Sequence, residues 1–244
     1  MTQAHRNKLM TKKNLLLLSS SRVGDTEYLS HALPMIEDHL EGIKEVLFVP
    51  FAGVTMSYDE YLNKVQQAFG STNIQVRGIH QFEDKKEAIK NAQAILVGGG
   101  NTFHLLNELY KYELIDLIHQ RVNEGLPYIG WSAGSNIAGL SIRTTNDMPI
   151  IEPPSFNALG LIGVQMNPHY TDHNPPGHNG ETREQRLAEF MVVDKDTPII
   201  GIVEGTALKV QGEQISLIGG ESGYVFKAGN KTEVANNSIL NSYL

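Results

Sequence analysis

Short apolar runs alternate with amphipathic stretches along the first half of the chain. Most of these runs are apolar at successive positions, which is typical of parallel strands covered on both faces. The stretches between them have the capping residues and closing glycines of helices. The alternation therefore predicts an α/β fold with a mostly parallel, doubly wound sheet and helices on both of its faces. The predicted strands are residues 14–20, 45–53, 74–80, 94–100 and 126–132. The predicted helices are residues 26–42, 57–70, 84–92 and 101–125, the last of which is long enough for two helices.

The pattern changes in the second half of the chain. Residues 161–169 and 197–210 are predicted strands, and residues 181–193 are a predicted helix between them. The segments EQISLIGG and YVFKAG that follow favour antiparallel hairpins at the edge of the sheet. Because no linker rich in Pro, Gly or Ser divides the chain, residues 14–244 are predicted to form one domain, behind a disordered tail of residues 1–13.

The composition excludes several classes of function. Hydrophobic residues make up 41% of the 244, enough for a buried core, and the formal net charge of -7 argues against a nucleic-acid partner. The absence of cysteine excludes disulfides, thiolate metal sites and a cysteine nucleophile. No apolar run approaches the roughly 18 residues of a membrane span. We therefore expect a cytoplasmic protein without a membrane partner.

The segment YIGWSAGSN contains a Gly-x-Ser-x-Gly pattern at Gly130, Ser132 and Gly134. It lies between a predicted strand and small, helix-compatible residues, which is the context of a nucleophile elbow. Such a turn exposes the serine oxygen above the sheet and directs the next backbone N–H, that of Ala133, at a developing oxyanion. The alternative is that Ser132 caps the helix.

A second glycine-rich turn, in ILVGGGNTF, joins a predicted strand to a helix capped by Asn101. Its backbone N–H groups suit an anion, but it lacks the Gly-Lys-Ser/Thr ending of a nucleotide P-loop. It is a candidate for the second half of an oxyanion hole. A tight turn without any ligand is the alternative.

Of nine histidines, His169 is the best candidate for a base, because it ends a predicted strand, as Ser132 does. The carboxyl ends of parallel strands meet at one edge of a sheet, where sites form. Two acids are candidates to orient it, Asp147 in a polar loop and Glu204 at the end of an apolar run, and the sequence does not rank them. Asp147 follows Ser132 too closely for the α/β-hydrolase arrangement, so a smaller sheet is indicated.

The loop after His169 also suggests metal ligands, namely Asp172, His173 and His178 together with His169. Its NPPG segment disfavours the helix that would place two histidines on one face. Neither a cysteine nor a His-Glu-x-x-His pattern is present, so no metal and no cofactor are predicted.

Six blocks run in order along the chain between about Leu15 and Gly229: PFAGV (50–54), VGGGNTF (97–103), YIGWSAG (128–134), IRTTNDMPI (142–150), NPH (167–169) and GETREQR (180–186). Together these blocks resemble the peptidase E family. The resemblance implies a flavodoxin-like fold related to class I glutamine amidotransferase domains, with serine replacing cysteine at the elbow.

The resemblance also implies a function, the hydrolysis of Asp-Xaa dipeptides by a serine mechanism. A site for an acidic side chain in an acidic protein needs a local cation, and arginine binds carboxylates in bidentate fashion. On the residues alone, Arg183 would instead pair with neighbouring glutamates on a solvated helix face. The roles implied are Ser132 as nucleophile, His169 as base, Asp147 or Glu204 as orienting acid, Gly100 and Ala133 as oxyanion donors, and Arg183 as the ligand of the aspartyl carboxylate.

Two other functions remain open at this point. A hydrolase of the same fold could act on β-aspartyl peptides or on acidic polymers, as cyanophycinases do. A non-enzymatic protein could use the glycine-rich turn to bind a small anion. The loop carrying His173 and His178 could alter substrate preference, and a monomer and a homodimer are both compatible with the sequence.

Overall fold

The computed structural model describes residues 12–244, which form two sheets packed with helices. A seven-stranded sheet has the order β3-β2-β4-β5-β1-β8-β9, and a four-stranded sheet has the order β11-β10-β7-β6. The strands are β1 Asn14–Leu18, β2 Glu45–Val49, β3 Gln75–Gly78, β4 Ile95–Val97, β5 Tyr128–Trp131, β6 Gln165–Asn167, β7 Ile199–Gly201, β8 Ala207–Gln211, β9 Gln214–Ile218, β10 Gly223–Lys227 and β11 Asn230–Val234. The helices are α1 Leu33–His39, α2 Tyr58–Ala68, α3 Lys85–Asn91, α4 Thr102–Lys111, α5 Ile115–Asn123, α6 Ala133–Asn136 and α7 Arg183–Val193.

The centre of the seven-stranded sheet confirms the predicted α/β class. Strands β3, β2, β4, β5 and β1 are parallel, whereas β8 and β9 continue the sheet in antiparallel fashion. Leu15 and Leu17 belong to one hydrophobic cluster, while Leu16 and Leu18 belong to another. The successive apolar positions of β1 therefore pack on both faces of the sheet.

The second half of the chain differs from the predicted pattern. The predicted strand of residues 197–210 is two strands, β7 and β8, which belong to different sheets. The turn between them contains Gly205 at φ +88°, a conformation that ends the extended run. Strand β10 pairs with β7, so YVFKAG lies in the four-stranded sheet and not at the edge of the larger one. The apolar runs on either side of Glu204 and Gly205 concealed this division.

The helices are shorter than predicted, for local reasons. Helix α1 begins only at Leu33, with Pro34 in its first turn, where the missing N–H of proline has no cost. The long stretch after Asn101, whose length was enough for two helices, does form two, and they are separated at Glu113, which has a positive φ of 53°. Residues 1–11 of the predicted tail lie outside the described residues. Between residues 12 and 244, every helix is too short or too polar to cross a bilayer.

Ser19, directly after β1, connects the two sheets. Its buried Oγ donates to the carbonyl of Ile202, 2.8 Å away, and accepts the backbone N–H of His169 at 2.9 Å. The backbone N–H of Ser19 also donates to the carbonyl of Thr206 at 2.9 Å. One residue of the larger sheet thus fixes the segments that follow β6 and β7 in the smaller one.

Candidate active site

Ser132 occupies a sharp turn between β5 and α6. Its φ of 52° is unusual for a residue with a side chain, and its Oγ makes no capping hydrogen bond to α6. A Cβ added to Gly130 would lie 2.4 Å from the carbonyl oxygen of Gly134, and one added to Gly134 would lie 2.1 Å from that of Val97. Both glycines are therefore needed for close backbone contact around the serine. The geometry is that of an elbow and not of a simple helix cap.

His169 lies between Ser132 and Glu204. Its Nε2 is 2.9 Å from Ser132 Oγ, and its Nδ1 is 2.8 Å from Glu204 Oε1. When Nδ1–H donates to the carboxylate, Nε2 is left to accept the hydroxyl proton of Ser132. His169 also has a positive φ, 56°, so a strained backbone carries both members of the Ser–His pair. The serine comes from the larger sheet, while the histidine and the glutamate come from the smaller one.

Asp147 has different partners. Its Oδ2 accepts the backbone N–H of Thr102 at 2.7 Å, at the start of α4. Beside it, the side-chain amide of Asn101 donates to the carbonyl of Met148 at 2.9 Å. These contacts fasten the Asp147 loop to α4. Of the two acids that the sequence left unranked, the structure brings Glu204 to His169.

Two backbone N–H groups beside Ser132 are free to bind a ligand. Those of Gly100 and Ala133 donate to no acceptor in the part of the chain that the structure describes. Gly100 has a φ of +139°, and a Cβ there would lie 2.1 Å from the carbonyl oxygen of Ala52, so only glycine fits this turn. These are the donors expected for an oxyanion hole.

Two cavities meet at the serine and the histidine, which are the residues that line both. The smaller has a volume of about 200 Å³ and polar walls that include Asn136, Asp147 and Arg183. The larger has a volume of about 580 Å³ and walls that are mostly apolar. Ser132 can therefore attack a carbonyl whose two flanking groups occupy different environments.

Arg183 contributes an unpaired cation to the smaller cavity. It is the first residue of α7, directly after the capping residue Thr182. Its guanidinium is half-buried, and Nη1 is fully buried without a hydrogen-bond partner in the described chain. Burial lowers the pKa of Arg183, with a smaller effect of Arg186 in the same direction and an opposing one of Asp147. A desolvated cation of this kind is poised to bind an anion.

The alternative pairing predicted for Arg183 is wrong. Glu181 lies 3.6 Å from Arg186, and Glu184 lies 2.9 Å from Lys231. The neighbouring carboxylates thus have other partners, and Arg183 faces the cavity instead of a solvated helix surface.

His173 and His178 are exposed and line neither of the two cavities beside Ser132, whereas Thr171 and Asp172 of the same loop line a further cavity beside His169 and Arg183. Across residues 12–244, no group of three His, Asp or Glu side chains is arranged to hold a metal ion. Asp172, one of the ligands considered from the sequence, instead forms an ion pair with Lys231 at 2.6 Å. The loop thus has a structural contact through Asp172.

Comparison with known proteins identifies the family. Residues 15–218 match the model of peptidase family S51. The chain belongs to this family. A protein named peptidase E from Shewanella amazonensis is 56% identical over 230 residues, which cover 94% of this chain and 98% of the relative. Another, from Shewanella sp. strain ANA-3, is 59% identical over 221 residues, 91% of this chain and 93% of the relative.

Solved structures agree with this membership. A peptidase E-type protein from Listeria monocytogenes EGD-e has a TM-score of 0.64 and 25% identity, over 86% of this chain and 99% of its own. A peptidase from an acI-B1 actinobacterium shares the fold, with a TM-score of 0.71 over 94% of this chain and 97% of its own, at 18% identity. The S51 chain is therefore a peptidase, a hydrolase of peptide bonds, and its fold is that of peptidase E-type proteins.

Sequence reasoning missed the residue that joins the two parts of this S51 site. Ser19 follows a buried strand of four successive leucines, so its position at a strand end was visible. Its partners, the backbone groups of His169 and Ile202, come from a sheet that the sequence did not separate from the first. The sequence showed that Ser19 follows a strand, but no motif distinguished Ser19 from other residues at strand ends.

Proposed function

We propose that this peptidase is a serine-type dipeptidase that hydrolyses Asp-Xaa dipeptides through an acyl-enzyme intermediate. The observation that carries the proposal is the Glu204–His169–Ser132 hydrogen-bond chain beside the unpaired Arg183 guanidinium. Ser132 is the nucleophile, His169 is the base and Glu204 is the acid that orients it. Arg183 receives the aspartyl carboxylate in the cavity of about 200 Å³, which restricts the first residue to a small acidic one.

The reaction proceeds in two acyl transfers. Ser132 Oγ attacks the peptide carbonyl while His169 Nε2 takes its proton, and Glu204 stabilises the imidazolium through Nδ1–H. The N–H groups of Gly100 and Ala133 hold the oxyanion, each with an effect of about 3–4 kcal/mol on the barrier. His169 then protonates the leaving amine, and the C–N bond breaks. Water activated by His169 hydrolyses the aspartyl ester and regenerates Ser132.

Two features favour the α-aspartyl dipeptide over the alternatives. The serine and histidine are already in hydrogen-bond contact, an arrangement that a non-enzymatic anion binder does not need. The cation lies in the smaller cavity, which suits a side chain of one or two carbons next to the attacked carbonyl. A β-aspartyl substrate would have to place its α-carboxylate there instead, so this related activity is the second candidate.

Four substrates test the proposal: Asp-Leu, β-Asp-Leu, Leu-Asp and N-acetyl-Asp-Leu. We expect hydrolysis of Asp-Leu alone, and its abolition in Ser132→Ala. Cleavage of β-Asp-Leu in preference to Asp-Leu would reassign the enzyme to isoaspartyl substrates. Hydrolysis of Asp-Leu that survives in Ser132→Ala would remove Ser132 as the nucleophile, and no hydrolysis of any of the four would mean that this peptidase acts on another class of substrate.

A further inference from the structure

Among the described residues that line the larger cavity, one is a lysine or arginine, and its surroundings are apolar or neutral. Its walls include Tyr28, Val54, Met56 and Ile150, and the serine and histidine form its border with the smaller cavity. If the aspartyl residue lies with Arg183, the group on the other side of the attacked carbonyl lies here. This cavity of about 580 Å³ is the place of the leaving residue.

The lysine that lines this cavity is Lys64. Among the described residues that line this cavity, no other is a Lys, Arg, Asp or Glu. It lies on α2, where Leu62 and Val65 are buried and fix the helix against the core. Its Nζ is 4.3 Å from the centroid of the Tyr28 ring, a cation–π contact. No carboxylate in residues 12–244 forms an ion pair with it. Lys64, a half-buried residue, therefore has an aromatic support but no counter-ion in the described chain.

The aromatic support is itself held against the catalytic turn. The Tyr28 hydroxyl accepts from Trp131 Nε1 at 3.0 Å and lies 3.3 Å from the hydroxyl of Tyr61. The Tyr61 hydroxyl in turn donates to the carbonyl of Gly99 at 2.8 Å. Lys64 thus has a fixed relation to the glycine-rich turn, through side chains that are largely buried.

We propose that Lys64 binds the C-terminal carboxylate of the dipeptide, while the apolar wall accepts the side chain of its second residue. The inference rests on the proposed function, since it takes the scissile bond to lie at Ser132. A dipeptide presents its carboxylate one residue beyond the attacked carbonyl, whereas a longer peptide presents an uncharged amide there. Lys64 is therefore a specificity-determining residue, which favours dipeptides by a charge-assisted contact.

The test compares Asp-Leu with Asp-Leu-amide, which differ only at the terminal carboxylate. In the unaltered enzyme we expect kcat/KM to be at least about tenfold higher for Asp-Leu, mainly through KM, as for one charge-assisted hydrogen bond. In Lys64→Met, which keeps the apolar stem, this ratio should fall to about one. Lys85→Met is the matched control, because Lys85 lies over Tyr112, at 4.7 Å, away from the cavity. It should keep the original ratio.

A binding measurement separates this inference from the proposed function. In a Ser132→Ala background, calorimetry should show that Lys64→Met weakens Asp-Leu binding about tenfold and removes the difference from Asp-Leu-amide. An unaltered enzyme that treats the two substrates alike, or a Lys64→Met variant that keeps the preference, would overturn the role of Lys64. If Asp-Leu binds in this Lys64-dependent way but is never cleaved, the proposed reaction fails while the carboxylate site stands.

Discussion

The two sheets make unlike contributions to the site. The seven-stranded sheet supplies Ser132 and the free N–H groups, and its elements there are packed tightly, with Trp131 only 1% exposed. The four-stranded sheet supplies His169 and Glu204, whose side chains are 37% and 52% exposed. Backbone packing within one sheet thus fixes the nucleophile and the N–H donors. The base and its acid depend on how the second sheet docks.

The sharpest test of this division is to remove a residue from each sheet. Ser132→Ala and His169→Ala should each lower kcat by roughly 10⁴-fold or more, and the double variant should be no slower than either single one, because the two act as a unit. Steady-state hydrolysis of Asp-Leu measures the three rates. A double variant slower by the product of the two single losses would mean that the sheets contribute independently.

The second test concerns the two acids, which also lie on different sides of the site. Glu204→Gln should lower kcat by about 10²-fold or more, since the amide no longer stabilises the imidazolium of His169. Asp147→Asn, the matched neutralisation, should lower kcat by less than about tenfold, because its contact is with the Thr102 N–H. The reverse order of the two losses would transfer the orienting role to Asp147.

The third test loosens the contact between the sheets. Ser19→Ala leaves the His169 N–H and the Ile202 carbonyl unpaired, which should cost about 1–3 kcal/mol of stability and about tenfold in kcat. Ser20→Ala is the control, because the buried Ser20 hydroxyl donates to the nearby carbonyl of Arg22 and, within the described chain, to no group of the smaller sheet. Urea unfolding and kcat should both be close to normal in that variant. Full activity in Ser19→Ala would show that the sheets dock correctly without this link.

The smallest expected effect isolates the strain at the elbow. Ser132→Gly and Ser132→Ala both remove the nucleophile, but only glycine adopts a φ near 52° without steric cost. We expect Ser132→Gly to be the more stable of the two by about 1 kcal/mol, with part of the relief offset by the entropy of glycine in the unfolded chain. Thermal unfolding under identical conditions compares them. Equal stability would mean that the turn is unstrained.

The contrast between the sheets also explains which parts of the fold could be predicted from the sequence. Leu15–Leu18 and the other buried strands of the larger sheet are contiguous apolar runs, so the α/β class followed from their alternation with helices. The smaller sheet is built of short strands such as Gln165–Asn167 and Ile199–Gly201, embedded in longer apolar stretches. Periodicity does not reveal which sheet such a strand joins, because pairing is decided by tertiary contacts.

In the active site, too, the sequence revealed local motifs but not the contacts between distant segments. Ser132 and its glycines are neighbours in the sequence, so the elbow was visible as a motif. Glu204 lies 35 positions from His169 and reaches it because β6 and β7 pair in parallel. Asp147 was an equal candidate until its contact with Thr102 was known. Lys64 resembled any solvated lysine of an amphipathic helix until the cavity and the Tyr28 ring placed it.

The path of the chain between the sheets bears on how the enzyme is made. The chain passes from the larger sheet to the smaller after β5, returns with β8, and crosses again after β9. During synthesis the elbow at Ser132 therefore emerges before His169 and Glu204, and β1 has an unpaired edge until β8 exists. A nascent chain that ends before residue 169 thus has the nucleophile without its base, and we expect no peptide hydrolysis from it.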